Sequence, residues 1–542
     1  MYRIRIFLSH RWTGIGLMLI SILAINCWEL TMENFGWDNS FSLAAAKNIS
    51  EGHGYSIKMA STSDYAKVYY EPLNKWPPGY SFALVLMSKI TSAGWIHAAF
   101  LLNGIALTAF VILFRKMLFQ LELPSWIVNV AVFCFGFIPH GFSALNYSDI
   151  VGVLSLMFGC SLLLKYVKSG QQNVGLIIIS VLCFAYCAWL KYIYVIVSFV
   201  PLIVLYVCGQ IWQRKITKVR ALRGSFLLLI LIGFLLLYQQ SHTGRAVFIH
   251  PSETGFFPEQ LLFIAPLVPG SFVNTLFYGL QISKYFSVPV EITDGLWTVL
   301  HVVCLLWILY IIRNIYQKGY LRGENGKSFY IFLAISISAV IYLTLAILTV
   351  AISRHYSDMT WVYIQEIRYF APVCFLLQQF AVFLIFKPQT FFKKTGTVIF
   401  RIILVLITLG EVSHGTYFIV KQVFIKKEFG QHVRTELPYL RAIQLTKREM
   451  LRGNTVVVCS GNLIYTNICS ISGSSSINDL QVLNEKMRTS KPLSIITVIN
   501  QNELPVIQDF VSKTNTKLEY MTEYEGGTLL YFITNYPKTI ND

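Results

Sequence analysis

Two carboxylates stand where a reaction at a membrane boundary could use them. Asp38 falls in Trp37-Asp38-Asn39-Ser40, soon after one long apolar stretch, and Asp149 closes Asn146-Tyr147-Ser148-Asp149, just before another. A positioned carboxylate can take a proton from an attacking hydroxyl. The plainer reading of Asp38 is an N-cap that accepts backbone N–H groups. For Asp149 it is a solvated helix start. Ionisable groups at span ends often line functional cavities, which keeps the catalytic reading of both acids open.

Cations, aromatics and further donors accompany these acids. Lys75, Arg245 and Arg368 lie in polar segments or at the ends of apolar runs, and guanidinium in particular suits phosphate. Tyr80, in Trp76-Pro77-Pro78-Gly79-Tyr80, and Tyr369, in Gln365-Glu366-Ile367-Arg368-Tyr369-Phe370, complete the candidate substrate-binding set. Glu71 and His250 are the candidate ligands for a divalent metal, although two scattered donors make a weak pattern. No cofactor is required by the sequence. Gly52-His53-Gly54-Tyr55 reads as a helix C-cap and turn, and Pro78 as the first turn of a following helix.

The elements that must position these residues are mostly apolar. The 542-residue chain is 55% hydrophobic and only 13% charged. Apolar runs of about 18 residues or more, enough to cross a bilayer, recur along it. Eleven are expected, near 12–31, 95–114, 125–141, 149–166, 173–190, 192–212, 224–241, 295–312, 328–350, 369–386 and 398–420. With the N-terminus inside, the N-terminal segment and inner loops carry nineteen basic residues against only Glu122 and Glu324. That asymmetry satisfies the positive-inside rule and accounts for most of the net charge of +17. No basic stripe interleaves with exposed aromatics, which argues against a nucleic-acid partner.

This threading puts outside two long loops, 32–94 and 242–294, and the tail 421–542. The segment 78–92 is short for a span and reads as an interfacial helix. The tail has 14 Lys and Arg against 11 Asp and Glu, an ordinary soluble composition. Strands are expected around Val456–Val458, Ser494–Ile499 and Thr528–Ile533. A helix is expected over 501–513 with Leu504, Ile507 and Phe510 on one face. The fold class is therefore an all-α polytopic membrane domain, 1–420, with an amphipathic first outer loop, followed by a small extracytoplasmic α/β domain, 421–542.

The succession WDNSFSLAAAKNISEGHGYS (37–56), WPPGYS (76–81), NYSD (146–149) and EIRYFAP (366–372) resembles the GT-C membrane glycosyltransferases. The likeness is greatest to the protein O-mannosyltransferase and aminoarabinose-lipid A transferase group. It implies an enzyme of a bacterial inner membrane that moves a single sugar, with inversion, from a polyprenyl-phosphate donor to a lipid, glycan or protein acceptor. Asp38 would be the base and Asp149 the second acid, with a divalent metal one candidate cofactor. One departure is that Asn39 follows Asp38 where many relatives carry a second acid. Two other readings use the same substrates. A flippase or transporter would be expected to show internal repeats and acids within its spans, and a polymerase or ligase a dominant late outer loop.

Overall fold

The computed structural model of the chain describes residues 2–31, 37–137 and 147–246 apart from 62, 171 and 245. It also describes helical positions scattered between 306 and 420, residue 446, and the segments 454–459, 474–477, 493–500, 503–514, 517–524 and 528–536. The loop 242–294 and the spans expected at 295–312 and 369–386 lie wholly or largely outside these residues, whereas about half of the span expected at 398–420 is described, as helix. Arg245, His250, Arg368 and Tyr369 also lie outside them.

In chain order the elements are α1 (Tyr2–Ser9), α2 (Arg11–Thr31), α3 (Trp37–Ser50), β1 (Ser56–Ala60), β2 (Val68–Pro72), α4 (Gly79–Thr91), α5 (Trp95–Gln120) and α6 (Ser125–Phe137). Then come α7 (Tyr147–Lys168), α8 (Val174–Leu190), α9 (Tyr194–Val197), α10 (Val200–Ile211) and α11 (Lys215–Thr243). After these follow α12 (Leu333–Tyr342), β3 (Asn454–Cys459), β4 (Ser475–Ile477), β5 (Leu493–Asn500), α13 (Leu504–Thr514), β6 (Lys517–Tyr524) and β7 (Thr528–Tyr536). They divide into two compact units.

The first unit takes residues 1–32, 103–239 and 246–426. Among the described residues four helical stretches are long and apolar enough to cross a bilayer: Trp95–Gln120, Ser148–Lys168, Tyr194–Ile211 and Lys215–Thr243. The pair Tyr2–Ser9 and Arg11–Cys27, bent by 73°, makes a fifth if the two form one span. The chain is thus a mostly helical, multi-pass membrane protein. Two expected spans form shorter apolar helices, Ser125–Phe137 and Val174–Leu190. Small residues bring the helices close, as lipid-embedded packing favours. A Cβ at Gly136 would overlap the backbone of Ser21, and one at Gly159 would overlap the Phe184 ring. Asn129 Nδ2 donates to Leu8 O at 2.8 Å, tying α6 to α1.

The second unit takes residues 33–102, 240–245 and 427–542. Its seven-stranded sheet has the order β2-β1-β4-β3-β5-β7-β6. The hairpin β1–β2, from the first loop, joins the tail strands through a parallel pairing of Met59 with Ser476. β3 pairs in parallel with both β4 and β5, while β7 runs antiparallel between β5 and β6. One core covers both parts of the chain: Ala60 and Tyr65 from the loop are buried with Val456, Val458, Ile477, Ile495, Ile507 and Phe510. Ile507 and Phe510 present one face of α13, and Leu504 packs at its margin.

Candidate active site

Asp38 lies in the first turn of α3, where a carboxylate is favoured by the helix dipole. It is half-buried, and its carbonyl accepts the Ser42 hydroxyl at 3.0 Å. The far end of α3 closes as a Schellman turn. His53 N donates to Asn48 O at 2.9 Å and Gly52 N to Ile49 O at 3.2 Å. Gly52 takes φ +85° and Gly54 φ +71°, which only glycine adopts cheaply. The sharp exit lets Asn48 Nδ2 reach Ser56 O at 2.7 Å.

That turn brings the two halves of the loop together. Tyr55 is buried, and its hydroxyl lies 3.1 Å from Trp76 O and 3.3 Å from Pro77 O. Phe41, one turn beyond Asp38, packs against Trp76 with ring centroids 5.0 Å apart. Ser81 Oγ donates to Ser42 O at 2.9 Å. Lys75 is exposed, with its ammonium 5.2 Å from the Trp76 ring centroid. Tyr80 has only 2% of its surface exposed and packs inside the unit. Glu71 is exposed on β2, opposite Ile57.

On β1, burial lowers the pKa of Lys58; Lys47 adds to the shift and Glu51 opposes it. Burial raises Tyr69 and Tyr70, with Glu71 adding to the first and Glu51 to the second.

Asp149 corrects the expectation of a solvated helix start, because it is fully buried in the first turn of α7. Lys191 Nζ lies 2.8 Å from its Oδ2, and the Tyr194 hydroxyl lies 3.4 Å from its Oδ1. Lys191 comes from the break between α8 and α9, and Tyr194 opens α9. Lys191 caps α8 with extended backbone, φ −159° and ψ 136°, so the chain steps out of the helix there and re-enters at Tyr194. Gly152, one turn after Asp149, gives the Tyr194 ring its space: a Cβ there would lie 2.9 Å from Tyr194 Cε2. The same helix pair is stitched by Cys187 Sγ to Gly152 O at 3.2 Å.

Sequence reasoning passed over Lys191 and Tyr194. The available signal was a single lysine between apolar runs ending at 190 and starting at 192, at the same end of the helical hairpin as Asp149.

A metal fits this arrangement poorly. Both Asp149 oxygens face hydrogen-bond donors, so a divalent ion would have to displace the ammonium. Among the described residues no group of three or more His, Cys, Asp or Glu could hold one.

No family description and no curated sequence matches the chain. Solved structures do. The oligosaccharyltransferase of Archaeoglobus fulgidus, tethered to an acceptor peptide, is similar with TM-score 0.46 at 10% identity, over 98% of this chain and 75% of its own. Archaeal oligosaccharyltransferase AglB from the same organism, with an inhibitory peptide and a dolichol-phosphate, gives 0.41 at 10% identity over the same shares. Apo ArnT from Cupriavidus metallidurans gives 0.47 at 10% identity, over 95% of this chain and 97% of its own. These neighbours are GT-C membrane glycosyltransferases.

Proposed function

We propose that the chain is a glycosyltransferase that moves one sugar from a polyprenyl-phosphate donor to an acceptor hydroxyl on the outer face of a bacterial inner membrane. One observation carries the reading. The two motifs of the first loop, separated in sequence, pack together on the helix that bears Asp38, through Phe41 against Trp76 and Tyr55 against the Trp76 and Pro77 carbonyls. A half-buried carboxylate beside a braced aromatic surface suits proton removal from an incoming hydroxyl.

The acceptor oxygen attacks the anomeric carbon from the face opposite the phosphate. The bond from that carbon to the phosphate oxygen breaks, its electron pair leaves with the lipid phosphate, and the acceptor proton passes to Asp38. The configuration at the carbon inverts. Lys75, Arg245 and Arg368 supply cations for the leaving phosphate, and Tyr369 joins the substrate-binding set. The C-terminal α/β segment, on the outer side, shapes acceptor choice.

The test is direct. Purified protein receives a labelled polyprenyl-phosphate monosaccharide, and released polyprenyl phosphate is measured with the Asp38→Asn variant alongside. Loss of release in a variant that folds and inserts normally is the expected result. Wild-type release from Asp38→Asn would overturn the assignment of the base.

A further inference from the structure

We propose that a basic cleft at the end of α7 remote from Asp149 binds the headgroup of an anionic phospholipid, one whose phosphodiester carries a neighbouring hydroxyl. The cleft has a volume of about 580 Å³ and is walled by α2, α5 and α7, within the usual range for small-ligand sites. Lys168 lies nineteen residues beyond Asp149, roughly 28 Å along α7 at helical rise, so the cleft is separate from the Asp149–Lys191 ion pair.

Three cations line it: Arg115 and Lys116 from α5 and Lys168 from α7. The nearby carboxylate does little to neutralise them. Glu122 Oε1 lies 3.9 Å from Lys168 Nζ, and both side chains are substantially exposed. A surplus of basic residues at this end is what membrane topology alone would produce. Topology does not explain two further features.

The first is a pair of orphaned polar atoms. Arg115 Nε is buried and donates to no acceptor among the described residues, and Gln120 Oε1 is buried and receives no hydrogen bond. Buried groups of this kind are rare in native proteins. A small turn of each side chain towards the cleft would let a phosphodiester oxygen accept from Nε–H and a hydroxyl on the same headgroup donate to Oε1. Elsewhere on the guanidinium, Nη2 has one long contact of 3.5 Å to Asn129 Oδ1, and the Phe119 ring centroid lies 5.1 Å away.

The second is the apolar wall. Met18 and Ile112 line the same cleft as the cations. A free inorganic ion has no use for such a surface, whereas the glycerol backbone and first acyl carbons of a lipid do. Basic pockets between membrane helices are established sites for lipid headgroups.

The experiment uses the full-length protein in mild detergent, titrated with labelled phosphatidylglycerol, with phosphatidylcholine as the zwitterionic control. Phosphatidylglycerol is expected to bind at least about tenfold more tightly. Lys116→Gln combined with Lys168→Gln should weaken phosphatidylglycerol by roughly 30-fold, from two lost surface charges, and leave phosphatidylcholine unchanged. This pair carries the test because Arg115→Gln also removes the contact to the buried Asn129, whereas Lys168 gives up only exposed contacts, to Gln120 O at 3.2 Å and to Glu122. Equal affinity for the two lipids, or an unaltered phosphatidylglycerol affinity in the double variant, would overturn the proposal. Full displacement by millimolar inorganic phosphate would overturn the lipid assignment in favour of a simple oxyanion site. Because the readout is binding, its failure leaves the transferase reading untouched.

Discussion

Lys191 and Asp149 form a buried ion pair across the α7–α8 hairpin, Nζ to Oδ2 at 2.8 Å, with the carboxylate fully enclosed and the ammonium side chain 16% exposed. Removing one partner of such a pair leaves a charge in a poor solvent, at a cost of about 3–5 kcal/mol. Lys191→Met should therefore lower the melting temperature sharply. Adding Asp149→Asn to it should restore most of the loss, because the stranded charge is gone. Thermal unfolding of both single variants and the double gives the coupling energy directly. Additive single effects would mean that the pair is not a unit.

Much of the helical frame was legible because bilayer-length apolar runs and basic loops are direct physical signatures. Asp38 and the glycines at 52 and 54 were legible too, since a first-turn acid and a left-handed exit have local causes. The burial of Asp149 was not. It depends on Lys191, 42 residues later, and on a helix break that periodicity does not report. The pairing of Met59 with Ser476 was equally invisible, because a single parallel contact between a loop hairpin and a distant strand leaves no local pattern.

Gly152 and Tyr194 give a second test on the same hairpin. The Tyr194 ring is fully enclosed, and a methyl at position 152 would approach it to 2.9 Å. Gly152→Ala should destabilise by about 1–3 kcal/mol through overpacking. Tyr194→Phe keeps the ring and loses only a long hydroxyl contact to Asp149, so it should cost no more than about 1 kcal/mol. Detergent-phase melting curves of the two variants decide it, and the reverse ranking would refute the packing account.

The brace inside the first loop is testable through Tyr55. Its hydroxyl is the tie from the Gly-His-Gly-Tyr turn to the Trp-Pro-Pro-Gly-Tyr segment. Tyr55→Phe removes that donor at a mostly buried position and should cost about 1 kcal/mol in stability. If the brace also sets the surface beside Asp38, sugar release should fall further than this loss predicts, in kcat rather than KM. Stability loss with unchanged kcat would confine Tyr55 to a structural role.

Lys58 supplies a prediction with a sign in pH. Its folded pKa lies below the unfolded value, mainly through burial and then through Lys47, with Glu51 opposing. Between the two values the unfolded chain holds more protons, so this group raises stability as pH climbs through that window. Below it, both states carry the charge and the cost of burying it is fully present. Lys58→Met should therefore stabilise the protein below that window, and its advantage should shrink as pH rises through it towards the ordinary lysine value of about 10.4. Tyr69 and Tyr70 shift the opposite way, with folded values raised, and would make both proteins less stable at high pH. They are common to both proteins, so the difference between wild-type and variant melting curves isolates Lys58. A stabilisation that stays constant across that range would show that the lysine is costly for its packing and not for its charge.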